Sequence, residues 1–409
     1  MEVVIKEIFD KIEDTDDICL KDIANEMKVT TRTLHNFKNG TKNLTFPRLM
    51  KLASILYKDR EVEVLNRWCY ALTHTGIKHA LEYASLTRNV DLLKSLLKKT
   101  KNKGGILNEC EEIYSLILDF MENKKDPKDM SEYISEIRKP KDVPLGILVD
   151  IYNLIAKFHK KDFADFHKNL YRVEKSIAEL KDDDNVNTFY KKCFLHRLAE
   201  IASFSYLHLN DTAKTRHYAC IVINGGLSAK QVAEAYFVLG FSHLQDSPEL
   251  ALEYLEKSRD IMRITKSLDL IECATYNIDF AKLLLKKELS ESADKSLLAV
   301  AQVRENRKLY HDLKEVIYNG GDEDLIGYFE AISGSLEGLY ETYSKLTEKR
   351  NYFYATVVLN EIIERGDNTG FTQHLKKNTK LKAEGESLFE KTFISNFINI
   401  NTISGRVYA

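Results

Sequence analysis

Residues 236–258, YFVLGFSHLQDSPELALEYLEKS, contain the pattern that decides the fold. Apolar residues recur at three- and four-residue spacing on both sides of Pro248, which predicts two amphipathic helices joined by a tight turn. Gly240 and Ala251 are small, so the two helices can cross closely at these positions. Aromatic Tyr254 can then pack between neighbouring helices, and the segment predicts a closely packed helix pair.

This helix pair is the clearest example of an organisation that covers most of the chain. Residues 236–258 resemble a tetratricopeptide repeat, although the closing proline is missing and the turn is one residue short. Helix pairs recur at about 35 to 40 residues along the chain, and such repeats bury a continuous core and leave a concave surface for binding. The helices predicted for this array are 76–84, 89–99, 107–121, 145–158, 163–180, 188–209, 213–223, 229–244, 248–264, 268–286, 290–303, 323–344 and 352–365.

The composition favours the same all-α fold class. The chain has 409 residues with 5 prolines and 17 glycines, whereas average usage gives about 20 and 29 at this length. Because sandwiches, propellers and doubly wound sheets need frequent turn residues, this scarcity favours long helices with short connections. Six cysteines without a C-x-x-C pair indicate reduced thiols. The sequence has no signal peptide and no long apolar run, which predicts a cytoplasmic protein that does not enter a membrane.

The balanced net charge of −2 conceals a sharp reversal near the N-terminus. Residues 1–27 contain nine acidic residues and three lysines, a net charge of −6. Residues 28–60 contain eight basic residues and one aspartate, a net charge of +7. A local basic surface of this kind is what binding to a nucleic-acid duplex requires.

The basic stretch also has the spacing of short helices joined by tight turns. Apolar residues in 20–27 recur at helical spacing, and Thr30 or Thr31 can cap the next helix. Asn39-Gly40 can end that helix because both residues adopt a left-handed backbone at low cost. This stretch resembles the helix-turn-helix of Cro and repressor proteins. The chain is therefore predicted to have an N-terminal helix-turn-helix domain followed by a right-handed tetratricopeptide-like solenoid.

The helix-turn-helix resemblance identifies candidate DNA contacts. Thr31, Arg32 and Asn36 match positions that reach base edges in that family; arginine suits guanine and asparagine suits adenine. Other polar side chains nearby are better placed for phosphates, which orient the protein on the duplex without specifying sequence. These are Thr33, His35, Lys38, Lys42 and Lys51. The alternative is a three-helix capping or dimerisation module whose basic residues are only a solvated surface.

Together, these two parts resemble bacterial cytoplasmic receptors for short signalling peptides, and most of all the arbitrium receptors of temperate phages. Five stretches carry the resemblance: YKDREVEVL at 57–65 before CYAL at 69–72, HALEYAS at 79–85, LND at 209–211 with Arg216 and Tyr218, and residues 236–256. The resemblance implies a homodimer that binds operator DNA and responds to a secreted peptide of about six residues. In these receptors the free form binds DNA and activates a gene that favours lysis, and the peptide withdraws that activity.

The resemblance also implies candidate peptide contacts, namely Tyr206, Asn210, Lys230, Phe241 and Asn351. Several of them differ from the family pattern: two aromatic residues replace amides, a lysine replaces an arginine and an asparagine replaces an aspartate. The peptide recognised by this chain is therefore expected to differ. Arg197 is a further candidate because it interrupts an otherwise apolar helix face. The alternative interpretation is repeat packing for Phe241, and an ordinary surface position for Asn210 and Lys230.

Three segments with distinct roles are therefore predicted. They are a DNA-binding domain at 1–62, a peptide-binding repeat domain at 63–376, and a C-terminal capping or dimerisation segment at 377–409. The glycine pairs, including Gly104-Gly105, follow predicted helices and indicate loops. Because no nucleotide-binding, protease or kinase motif occurs, no enzyme activity, cofactor or metal is expected. The predicted function is a peptide-controlled transcriptional regulator. The alternative is a peptide-responsive adaptor that inhibits a phosphatase or response regulator without binding DNA.

Overall fold

A computed structural model describes residues 1–379, apart from residues 16–17, 59, 73, 182–184 and 321–322. Twenty-two α helices and no strand occur among the described residues, which confirms the all-α prediction. Within the same ranges, no helix is both long and apolar enough to cross a bilayer. Residues 380–409 lie outside the described part, so the predicted C-terminal capping or dimerisation segment stays a prediction.

The helices of the first half include two, Leu20–Glu26 and Thr31–Lys38, over the stretch that resembles a helix-turn-helix. They are α1 Glu2–Glu13, α2 Leu20–Glu26, α3 Thr31–Lys38, α4 Phe46–Leu56, α5 Glu61–Cys69, α6 His74–Leu86, α7 Val90–Thr100, α8 Ile106–Met121, α9 Met130–Glu136, α10 Val143–His159, α11 Phe163–Ala178 and α12 Asn185–His208. The predicted domain boundary after residue 62 falls in the first turn of α5 and stays a prediction.

The helices of the second half continue the pattern of alternating pairs. They are α13 Thr212–Gly225, α14 Ala229–His243, α15 Pro248–Met262, α16 Leu268–Leu284, α17 Lys295–Glu305, α18 Tyr310–Gly320, α19 Glu323–Ser333, α20 Leu336–Glu348, α21 Tyr352–Glu364 and α22 Gly370–Asn378. Packing divides the described residues into two units. Unit 1 contains residues 1–198 and 224–228, and unit 2 contains the remainder from residue 199 onwards.

The N-terminal bundle of unit 1 is held together by a small apolar core. Leu34 and Phe37 of α3 are buried, as helical spacing predicts, and the Phe37 ring lies 6.3 Å from that of Phe9. Ala24 is buried in α2. On α4, Phe46 packs on Tyr83 of α6 with ring centroids 5.7 Å apart. The core therefore fixes α3 by its apolar side and leaves the opposite side available.

The α14–α15 pair of unit 2 confirms the close crossing predicted from the small residues. A Cβ atom added to Gly240 would lie 2.6 Å from Leu255 Cγ and 2.9 Å from the Ala251 carbonyl oxygen. Only glycine fits at this approach without moving α15. The close crossing of α14 and α15 is thus determined by Gly240 and Leu255, which lie fifteen positions apart in the sequence.

The structure also corrects the predicted helices at several places. The single helix predicted for 323–344 is wrong, because Ser335 accepts a hydrogen bond from the Gly338 amide at 3.2 Å and caps a new helix. The helix predicted to start at residue 290 starts at Lys295, where Asp294 caps it. Ser290 instead donates through its amide and hydroxyl to Asp279. Helices α1, α5, α9, α18 and α22 were not predicted.

Candidate nucleic-acid interface and peptide site

Helix α3 presents the predicted DNA contacts on one side. The hydroxyl of Thr30 accepts a hydrogen bond from the Thr33 amide at 3.2 Å, so Thr30, one of the two predicted candidates, caps the helix. Around the buried Leu34 and Phe37, Thr31, Arg32 and His35 are exposed and Thr33 and Asn36 are half-buried, with the Thr33 hydroxyl 3.0 Å from that of Thr30. The five exposed or half-buried residues are called the α3 face below. The structure brings them together.

The turn after α3 orders the next predicted contact. The carbonyl of Asn36 accepts hydrogen bonds from the amides of Thr41 and Lys42, at 3.0 and 3.3 Å. Gly40 has φ +67°, the left-handed conformation expected of a glycine that follows a helix. Lys42 is exposed and is held one turn beyond the α3 face.

Two of the predicted phosphate contacts are engaged in exposed ion pairs. Lys38 Nζ lies 2.8 Å from Glu13 Oε1, and Lys51 Nζ lies 2.8 Å from Glu26 Oε1. Exposed pairs of this kind contribute about 0–1 kcal/mol, so a phosphate can replace the carboxylate at little cost. The acidic N-terminal stretch therefore partly neutralises the basic stretch that follows it.

Among the peptide candidates of unit 2, Tyr206 and Phe241 are buried in aromatic packing. The Tyr206 ring stacks on that of Tyr218 with centroids 5.6 Å apart and an interplanar angle of 4°. The centroid of the Phe241 ring lies 4.6 Å from that of Phe237 and 5.9 Å from that of Phe353. The packing interpretation of Phe241 thus has direct support.

Asn210 joins the end of α12 to two later helices of unit 2. Its backbone has φ +58°, a conformation that asparagine tolerates better than most residues. Its side-chain amide donates to Thr356 Oγ1 at 3.0 Å and to the Thr379 carbonyl at 3.3 Å. Asn210 is 5% exposed, so these contacts occupy the donor group that the resemblance assigned to a peptide.

Lys230 and Asn351 are the half-exposed members of the predicted peptide set. Lys230 Nζ lies 3.7 Å from Glu234 one turn later on α14. Asn351 caps α21, and its Oδ1 accepts from the Tyr354 amide at 3.3 Å. The cap occupies the oxygen of Asn351 and leaves its NH₂ group as the part that can meet a ligand.

Arg197 is placed in a buried polar network of unit 1. Arg197 Nε donates to Glu82 Oε1 at 2.9 Å, and Nη2 donates to Ser85 Oγ at 2.5 Å. Its Nη1 donates to Tyr152 Oη at 3.1 Å, while Tyr114 donates to the second oxygen of Glu82 at 2.8 Å.

The electrostatics of this network favour a structural role. Burial opposes the charge of Arg197, but the Glu82 carboxylate raises the pKa of the guanidinium. Burial, with Glu82, also raises the pKa of Tyr114 well above its ordinary value. The peptide-contact prediction for Arg197 has no support in this geometry. The acidic residue within the apolar stretch HALEYAS was the one sequence signal that pointed to a buried partner.

Sequence reasoning missed a series of half-exposed aromatic side chains in unit 2. Phe204 and Phe237 stack with centroids 6.0 Å apart, and Tyr276 and Tyr354 each contact Phe280 at 6.2 and 6.3 Å. The four half-exposed residues are called the aromatic series. They come from α12, α14, α16 and α21, which are far apart in the sequence, so no local pattern could have grouped them.

The comparisons with known proteins place this helical-repeat chain in a class of regulators. The family model described as AimR transcriptional regulator-like matches residues 61–364. The match covers well over half of the chain, so the chain belongs to this family, and the resemblance seen in the sequence is confirmed at this level. The matched range begins after α4 and does not include the α3 face.

Two solved structures share the fold. The structure described as SeMet-phAimR is 15% identical, with a TM-score of 0.60, and the alignment covers 91% of this chain and 100% of that one. The structure described as phAimR-Ligand is 16% identical, with a TM-score of 0.60, covering 80% and 98%. No curated protein matches the chain.

Proposed function

We propose that this chain is a transcriptional regulator that binds operator DNA through the α3 face and is controlled by a short signalling peptide bound by unit 2. The observation that carries the proposal is the α3 face, whose polar residues are exposed on a capped helix in a chain of a transcriptional-regulator-like family. In this proposal the protein acts in the cytoplasm of a bacterial host, in the lysis–lysogeny decision of a phage, and it has no enzyme activity.

The chemistry of the α3 face suits the major groove. Arg32 is exposed in the first turn of α3, where a recognition helix contacts base edges, and its guanidinium can pair with guanine through two hydrogen bonds. Asn36 lies one turn further on the same side and can pair with adenine. Thr33, His35, Lys38 and Lys42 surround them as phosphate contacts.

The peptide part of the proposal rests on family membership and on unit 2. The aromatic series offers half-exposed rings on which apolar peptide side chains can pack. Lys230 supplies a positive charge for a carboxylate, and Asn351 supplies an amide donor for a peptide carbonyl. Tyr206, Asn210 and Phe241 are buried, so we assign them to shaping this surface.

The proposed switch requires two copies and two conformations. In a homodimer, the two α3 helices bind half-sites about 34–36 Å apart, one turn of the duplex. A peptide changes operator affinity only if it binds one conformation of the dimer more tightly than the other. The coupling must then be reciprocal, so operator DNA must change peptide affinity by the same factor.

The DNA part is tested with the full-length protein and fluorescent duplexes. We expect a clear preference for the DNA upstream of its own gene over a shuffled duplex. Arg32→Ala should weaken specific binding by about 1–3 kcal/mol and relax the preference at one base pair. Arg138→Ala, which removes an exposed arginine elsewhere in unit 1, is the matched control and should leave binding unchanged. Equal binding to both duplexes would favour the adaptor function instead.

The peptide part is tested by calorimetric titration of candidate hexapeptides, such as those encoded in short reading frames beside the gene. Each titration is repeated with saturating operator DNA. If the peptide controls operator binding, the peptide affinity measured with DNA differs from the affinity measured without DNA. The affinity rises if the peptide promotes DNA binding and falls if the peptide releases DNA. Binding that is identical with and without DNA contradicts peptide control.

A further inference from the structure

A second basic surface follows α7. Residues 92–108 contain five lysines and no acidic residue. The neighbouring basic stretch after α8 is different, because Lys124 pairs with Glu122 and Lys125 lies 3.6 Å from Asp119. Charge in that stretch is compensated locally. In 92–108 only Lys94 is paired, with Glu122, and the nearest acidic residues in sequence are Asp91 and Glu109 at the two ends of the range.

Three of these lysines are exposed and uncompensated. Lys98 lies in the last turn of α7, and Lys101 and Lys103 lie in the connection to α8; these three residues are called the lysine segment. In the part of the chain that the structure describes, none of the three forms an ion pair. The connection ends in Gly104 and Gly105, and a Cβ atom added to either glycine would have no atom within 4 Å. A ligand can therefore approach the backbone here as well as the lysines.

The lysine segment is connected to α3 through α1. Lys99, beside the segment, donates through Nζ to the carbonyl of Tyr70, and the Met1 ammonium donates to the next carbonyl, that of Ala71, at 3.4 Å. Met1 and Lys99, which lies beside the lysine segment in sequence, therefore contact adjacent carbonyls. At the other end of α1, Glu13 pairs with Lys38, the last residue of α3.

The length of α1 gives the approximate distance from the contact of Lys99 to the pair of Lys38 with Glu13. Its 12 residues at about 1.5 Å per residue span about 18 Å. One turn of the DNA duplex is about 34–36 Å long, so half a turn is about the same distance. Because phosphates follow one another along both strands of a duplex, a basic surface at this distance from α3 can meet the backbone of the same duplex.

From these observations we infer that the lysine segment binds the DNA phosphate backbone beside the site contacted by α3, as a second, sequence-independent contact. The inference rests on the proposed DNA-binding function and extends it. Lysine binds phosphate as a point charge and does not distinguish bases, so this contact strengthens binding to every duplex. It also lengthens the footprint beyond that of a single helix-turn-helix.

The test compares the full-length chain with the variant Lys98→Gln/Lys101→Gln/Lys103→Gln. The matched control is Lys308→Gln/Lys345→Gln/Lys349→Gln, which removes the same charge from exposed positions of unit 2. Binding to the upstream duplex and to a shuffled duplex is measured between about 50 and 200 mM salt, and circular dichroism checks folding. Each released phosphate contact lowers the salt dependence by about 0.9 in log–log slope.

We expect the lysine-segment variant to lose about 2–3 in slope and to bind both duplexes more weakly by the same factor. The unit 2 control should keep the slope of the native chain. If both variants give the same slope and affinity, the inference is overturned, while Arg32-dependent binding of the native chain keeps the proposed function intact. If the native chain binds no duplex at all, the proposed function fails and this inference fails with it.

Discussion

The predicted residues of α3 and those of the repeat array have opposite surroundings. On α3, Arg32 and His35 are exposed around a buried apolar side. In the array, Arg197, Tyr206 and Asn210 are buried and contact other residues of their own unit. The difference arises because a helix on the surface of a small bundle shows one whole side to solvent, whereas each repeat helix is covered on several sides. A polar residue in a repeat therefore serves the fold more often than a ligand.

Replacing Arg197 is the strongest test of this difference. Arg197→Ala leaves Glu82, which is 0% exposed, without its cation. Breaking a buried pair on one side costs about 3–5 kcal/mol, and we expect the free energy of unfolding to fall by this amount in urea denaturation. The exposed counterpart, Arg32→Ala, should change it by less than about 0.5 kcal/mol.

A double variant separates the charge effect from loss of packing. Arg197→Met combined with Glu82→Leu removes both charges and keeps most of the buried volume, so it should recover much of the lost stability. Equal unfolding free energies for Arg197→Ala and Arg32→Ala would contradict the distinction between the two regions.

Asn210 tests the same distinction in unit 2 with a smaller effect. Asn210→Ala removes the hydrogen bonds to Thr356 and Thr379 and places alanine at φ +58°. We expect a loss of about 2–3 kcal/mol, from about 1–2 for the left-handed backbone and about 1 for the hydrogen bonds. Asn210→Gly also removes the side chain but tolerates the backbone, so it should lose less stability.

The pair of Asn210 variants also distinguishes a structural residue from a ligand contact. If Asn210 only shapes the site, the folded Asn210→Gly protein should keep its peptide affinity in calorimetric titration. A large loss of affinity in a variant that stays folded would restore Asn210 to the set of direct contacts.

How far the sequence predicts this molecule depends on how local the determining contacts are. The cap at Thr30, the buried Leu34 and the stop at Gly40 lie within ten residues, and all were predictable. The break at Ser335 was missed because apolar spacing continues across it, although Gly334 and the cap at Ser335 both mark the end of one helix and the start of the next. Helix α18 was missed for a related reason, because among its described residues only Ile317 is buried and its apolar pattern is weak.

The candidate sites also differ in how local their determining contacts are. The α3 face could be assembled from one helix, because its members are neighbours at helical spacing. The partner of Arg197 is 115 residues away, and the aromatic series combines four helices. Contacts between distant segments depend on how the repeats stack, and a single sequence contains no direct record of that stacking.

Asn351 gives the finest test of the comparison, because it has both kinds of role at once. Its Oδ1 caps α21 while its NH₂ group is the part proposed to meet the peptide. Asn351→Ala removes both functions and should cost about 1 kcal/mol of stability, as the loss of an N-cap does. Asn351→Asp keeps a capping oxygen and replaces only the donor. Stability should therefore be retained in Asn351→Asp, while peptide affinity falls by about two- to tenfold, the effect of one lost hydrogen bond.

Urea denaturation and calorimetric titration of the two variants measure the two roles independently. An aspartate variant with unchanged affinity would leave Asn351 with the cap alone and move the peptide contacts toward Lys230 and the aromatic series.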